Sequence, residues 1–119
     1  MSYSNGITET IRLTGVALSA AGVKARLIGP EGAQGTVESI RAVVTTANNA
    51  DQAINVGVAG DAAKHSTLTI PNGTAAGAGV NTSKDGLSPI ITEDSVLEIS
   101  AGGGGTAGAA DVFVTINWF

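Results

Sequence analysis

The chain contains no cysteine and a single histidine. Without cysteine there is no disulfide, no thiolate metal site and no thiol nucleophile. With one histidine, the paired-imidazole spacing of a zinc enzyme cannot be built. Aromatic residues make up only 3% of the 119 residues, so a core has to come from Val, Ile, Leu and Ala, and a sugar finds few rings to stack on. Six basic residues stand against ten acidic ones, for a net charge of −4. The six are scattered, whereas a nucleic-acid partner requires a basic stripe and stacking rings, so no nucleic acid is expected. No stretch approaches the roughly 20 apolar residues of a helical membrane span, and no membrane partner is expected either. "MSYSNGITET" has neither a basic nor an apolar leader pattern, which gives synthesis and assembly in a cytoplasm as the expectation.

What the chain does have is short apolar alternation broken by turn residues. An apolar content of 43% suffices for a core. The length fits one domain, and a domain of this size buries only about two-thirds of its unfolded surface. Sharing surface with copies of itself or with a larger body would help, which favours oligomerisation. Ile7, Glu9, Ile11 and Leu13 share one side of a strand with one charged interruption. "GVKARLIG" alternates Val23, Ala25 and Leu27 with Lys24 and Arg26, then meets the turn signal Gly29-Pro30-Glu31-Gly32. Ile40, Ala42 and Val44 oppose Arg41 and Val43, and Ile54, Val56 and Val58 oppose Asn55 and Gly57. "STLTIPNG", "LSPII", "SVLEIS" and "DVFVTINWF" complete about eight short strands, the pattern of a sandwich or barrel. The expectation is all-β, a single antiparallel β-sandwich over residues 7–119 behind a polar N-terminal arm at residues 1–6. "VALSAAGV" is compatible with one helical turn, and Asn72 to Gly86 reads as a long small-residue loop suited to function.

Gly103-Gly104-Gly105-Thr106-Ala107-Gly108 satisfies G-x-G-x-x-G, the spacing that cradles a pyrophosphate at a helix N-terminus. Here the motif runs into β-branched and aromatic residues rather than a helix, so the sequence predicts a hairpin loop and no nucleotide cofactor. In the strand that follows, Val112, Val114, Ile116 and Trp118 share a wholly apolar face, assigned to the core. Phe113, Thr115, Asn117 and Phe119 share the other. Two phenylalanines there require either burial of a central strand on both faces or a contact with another chain.

No reaction centre emerges. His65 in "GDAAKHSTL" has no nucleophile elbow near it and reads as a surface-loop residue. Glu93-Asp94 reads as a polar turn, not the spaced carboxylates of a glycosidase. Asp51, Asp61 and Asp85 fit no calcium loop. "NGT" at Asn72 and "NTS" at Asn81 match glycosylation acceptors but read as turn and loop residues. No catalytic residue, cofactor or metal ligand is expected, and the chain reads as no enzyme.

The polar arm "MSYSNGITET", the Thr/Ala/Val-rich "SIRAVVTTANNADQAINVGVAG" and the ending "ITEDSVLEISAGGGGTAGAADVFVTINWF" together resemble a bacteriophage capsid decoration (cement) protein of the small β-sandwich or jelly-roll type. The ending is similar to the closing hairpin of viral jelly rolls. The resemblance implies a jelly-roll-like sandwich on the outer capsid surface of a virion. Its implied partners are the major capsid protein and the chain itself, a homotrimer rather than a homodimer, with Tyr3, Phe113, Trp118 and Phe119 as the expected contacts. A carbohydrate-binding or adhesive module of a phage fibre is the alternative.

Overall fold

The computed structural model describes residues 7–83 and 90–119. Those residues form eight strands: β1 (Ile7–Ala17), β2 (Gly22–Ile28), β3 (Gly35–Thr46), β4 (Gln52–Val58), β5 (Asp61–Ile70), β6 (Gly79–Ser83), β7 (Val96–Ala101) and β8 (Ala109–Trp118). They pair antiparallel in two sheets, ordered β1-β8-β3-β6 and β2-β7-β4-β5. The chain changes sheet at every step except β4 to β5. Two four-stranded sheets wound this way are the eight-stranded jelly roll, so the all-β sandwich expected from the alternation is what forms.

Period-two patterning explains which side of each strand faces in. Along β8, Ala110, Val112, Val114, Ile116 and Trp118 are all buried, and their counterparts are Val37, Ile40, Ala42 and Val44 of β3. From the other sheet come Ile54 and Val56 of β4, Leu68 and Ile70 of β5, and Leu97 and Ile99 of β7. Aliphatic side chains fill this space almost alone. Trp118 is the large exception: its ring is 1% exposed. A Cβ on Gly29 or Gly35 would come within 2.5 or 2.6 Å of the ring, so both glycines are there to admit it. Glu9, the charged interruption in β1, accepts the indole Nε1–H at 3.0 Å, which satisfies the one polar atom of that ring.

One end of the sandwich is tied by side-chain amides. Asn48, buried after β3, donates to the carbonyls of Ala50, Ile70 and Pro71 and accepts from the Thr74 N–H. Asn49 accepts from the N–H groups of Thr106 and Ala107, and Gln52 donates to the carbonyls of Gly104 and Ala107. Asp51 takes the Asn72 N–H, and Leu18 donates to the Gly108 carbonyl. The β1–β2, β3–β4, β5–β6 and β7–β8 connections are thereby held as one unit.

Several expectations need correction. The glycine-rich segment is not a hairpin loop: β7 and β8 lie in different sheets, and the segment crosses between them. Both strands bury apolar residues in the same core, which a two-layer arrangement allows from opposite sides. "VALSAAGV" forms no helical turn, because β1 runs on to Ala17 and the chain then bends into β2. The expected loop from Asn72 to Gly86 contains β6, whose Gly79–Ser83 pair with β3. His65 is not in a surface loop. A two-residue turn at Ala59-Gly60 starts β5 at Asp61, and His65 sits 3% exposed within that strand. The register slips between Val56 and Val58, with β5 carrying more residues than β4 across the step, and His65 falls there. Of "LSPII", the described residues include Ile90 and Ile91, and Ile91 exchanges two backbone hydrogen bonds with Gly35.

Candidate functional site

The inward alternation of β8 leaves Asp111, Phe113, Thr115 and Asn117 on its other side, where each is half-buried. β8 is flanked on both edges, by β1 and β3, and this lateral cover accounts for the half-burial. It is a central strand, yet no second layer of the described residues covers this side. The two readings of its phenylalanines thus resolve into an open face with one ring near its middle.

Register places Arg12 of β1 and Arg41 of β3 on either side of Phe113, and Asn81 of β6 beyond Arg41. The Arg12 guanidinium carbon stands 5.6 Å from the ring centroid, within range of a cation–π contact. Its Nη2 lies 3.7 Å from Asp111 Oδ2. Asp111 Oδ1 in turn accepts the Gly15 N–H at 2.9 Å, at the irregularity that shifts β1 between Leu13 and Val16. Arg12 is therefore fixed from two directions. Arg41 is exposed and has no carboxylate partner among the described residues.

A recess of about 310 Å³ opens beside the ring, between Arg41, Val43, Asn81, Thr10 and Thr115. It exists because Gly79, the cross-strand partner of Val43, supplies no side chain. Val43 is left 40% exposed as a result. Thr10 and Thr115 bond each other through their hydroxyls at 3.0 Å and close the far side. The face offers an aromatic floor, an aliphatic wall and a guanidinium fork.

Of the expected contact residues that are described, Phe113, Trp118 and Phe119, it is Phe113 that lies near the middle of this face. Trp118 is enclosed in the core of its own chain and has no surface left to offer a partner. Phe119 is half-buried past the end of β8, its N–H and carbonyl paired with Gln34. Tyr3 and the 1–6 arm lie outside the described residues. Sequence reasoning missed Arg12 and Arg41 as members of the site. The signal was present, since each sits at an outward position of a strand, but which strands flank β8 follows from topology alone.

The outer side of the β2-β7-β4-β5 sheet carries a second, more polar recess, lined in part by Asn55, Asp61, Glu98 and Ser100. Arg26 Nε donates to Glu98 Oε2 at 3.0 Å, and Thr67 donates its hydroxyl to Asn55 Oδ1 at 2.9 Å. The Ser100 hydroxyl is buried and has no hydrogen-bond partner among the described residues. Glu93 and Asp94 form the expected turn, with Asp94 at φ 62° and the Ser95 N–H returning to the Thr92 carbonyl. Among the described residues no three His, Asp or Glu side chains gather to hold a metal ion. No helix of the described residues is long and apolar enough to cross a membrane. Comparison with protein-family models, with curated proteins and with solved structures gives no match.

Proposed function

We propose that this chain is a non-enzymatic structural protein of a virus particle, decorating and stabilising the outer surface of a tailed-phage capsid by bridging major capsid subunits. The observation that carries the reading is the open face of the β1-β8-β3-β6 sheet, where Phe113 lies between Arg12 and Arg41 beside a recess. An aromatic and an arginine at the centre of an uncovered patch are the residue types that anchor protein contacts. The jelly roll supports the reading as a fold that capsid and lectin domains share, without deciding between them. Repetition over a shell lattice would turn weak single contacts into firm attachment. The test is co-sedimentation of the purified chain with phage heads that lack it. Saturable binding at a fixed copy number per shell subunit is expected; heads that take up none remove the proposal.

The second reading, an adhesive module of a phage fibre, draws on the recess of the other sheet. Asn55, Asp61 and Glu98 there are the side-chain types that bond sugar hydroxyls. The expected loop from Asn72 contributes less, because the N–H groups of Asn72 and Thr74 are taken by Asp51 and Asn48 and the Thr74 hydroxyl by the Pro71 carbonyl. Glycan-array binding by the isolated chain, with none to heads, favours this second reading.

A further inference from the structure

We infer that the surface met by Arg41 and Phe113 is an acidic one, a carboxylate set beside an aliphatic or aromatic side chain on a polypeptide other than this chain. The inference rests on the capsid reading and specifies the chemistry of its contact. Among the described residues this face carries Arg12 and Arg41 against Asp111 and Glu38, the last at the irregularity of β3 where it takes the Thr36 hydroxyl, and Arg41 is the one charged residue of the described recess lining. Arg12 and Asp111 are occupied with each other. Arg41 has no such partner among the described residues: its neighbours across the strands are the Phe113 ring and the neutral Asn81. A guanidinium beside a ring offers a planar donor fork that matches a carboxylate in two bonds. The recess next to it, walled by Val43, gives the apolar part of the same partner a seat.

A second copy of this chain fits the face poorly. A two-fold contact centred on the recess would set Arg41 of one copy against Arg41 of the other, and like charges across an interface are costly.

The experiment compares wild type, Arg41→Gln and Arg41→Glu in co-sedimentation with heads lacking the protein, from about 50 to about 300 mM NaCl, a range over which screening tightens markedly. Arg41 is exposed, so circular dichroism and Trp118 fluorescence report an intact fold in all three. The expected result is about a tenfold or greater loss of affinity for Arg41→Glu, a smaller one for Arg41→Gln, and a salt dependence that is strong in wild type and absent in Arg41→Glu. Wild-type binding that Arg41→Glu retains in full overturns the inference and leaves the capsid reading standing. Wild type that fails to bind heads at all takes both down. A wild-type oligomer that Arg41→Glu converts to monomer identifies the occupant as a second copy and also overturns the inference.

Discussion

The two outward faces of the sandwich use the same materials to opposite ends. On the β2-β7-β4-β5 sheet, the cation of Arg26 meets Glu98 directly across the strands, and Asn55 meets Thr67. That cation and that amide are satisfied within the sheet. On the β1-β8-β3-β6 sheet, Asp111 satisfies Arg12, and the next cation along the row, Arg41, is left with a ring on one side and an open recess on the other. The apolar exposure is also distributed differently. Ile28 and Val96, exposed at 59% and 50%, face each other at the rim of the first sheet, beside its edge strand β2. Phe113 and Val43 sit inside the second sheet, framed by polar groups. A scattered apolar residue at an edge needs no partner, whereas an aromatic beside an exposed arginine that no described carboxylate pairs has the layout of a contact centre.

The largest effect comes from the core that both faces share. Trp118→Ala empties the space between Gly29 and Gly35 and leaves Glu9 without its donor. We expect a loss of about 4 kcal/mol in urea unfolding followed by circular dichroism, with both faces lost together. Asn48→Ala should cost somewhat less, about 3 kcal/mol, because the carbonyls of Ile70 and Pro71 lose their donor and the Thr74 N–H its acceptor. Retention of full stability by that variant would contradict the account of the tied end.

The smallest effects divide the faces. Arg26→Ala leaves Glu98, only 16% exposed at its side chain, without its cation, and should cost about 1 kcal/mol. Arg41→Ala breaks no bond to a described residue, and its stability should stay within about 0.5 kcal/mol of wild type. Equal destabilisation by the two, in matched urea titrations, would erase the distinction between a closed face and an open one.

Alternation alone disclosed most of the architecture. The core positions of β3, β4, β7 and β8 were legible because each strand places aliphatics two apart with polar residues between them. What alternation cannot express is register slippage. The irregularities at Leu13/Val16, Val23/Ala25 and Val56/Val58 change which side a residue faces without changing local composition, and His65 was misplaced for that reason. The glycine-rich crossing misled in a related way. Its composition says only that the chain turns freely, while its anchors, Asn49 and Gln52, lie some fifty residues upstream. Glu9 was visible as an anomaly, and its meaning waited on the Trp118 ring at the far end of the chain. The candidate face was half legible. Phe113 announced itself by being aromatic at an outward position, but its arginines come from strands that only the jelly-roll winding makes neighbours.

The central claim is that the open face of the β1-β8-β3-β6 sheet is the surface turned toward a larger body. Because the chain has no cysteine, single thiols can report on each face separately. Asn81→Cys places one on the rim of the Phe113 recess, and Thr69→Cys places one on the outer side of β5; both positions are exposed. Maleimide labelling of each variant is measured free and bound to heads. The account predicts that binding slows labelling at Asn81→Cys by about tenfold or more, as expected where a well-packed interface excludes water, and leaves Thr69→Cys unchanged. Protection at Thr69→Cys with free reaction at Asn81→Cys would contradict it.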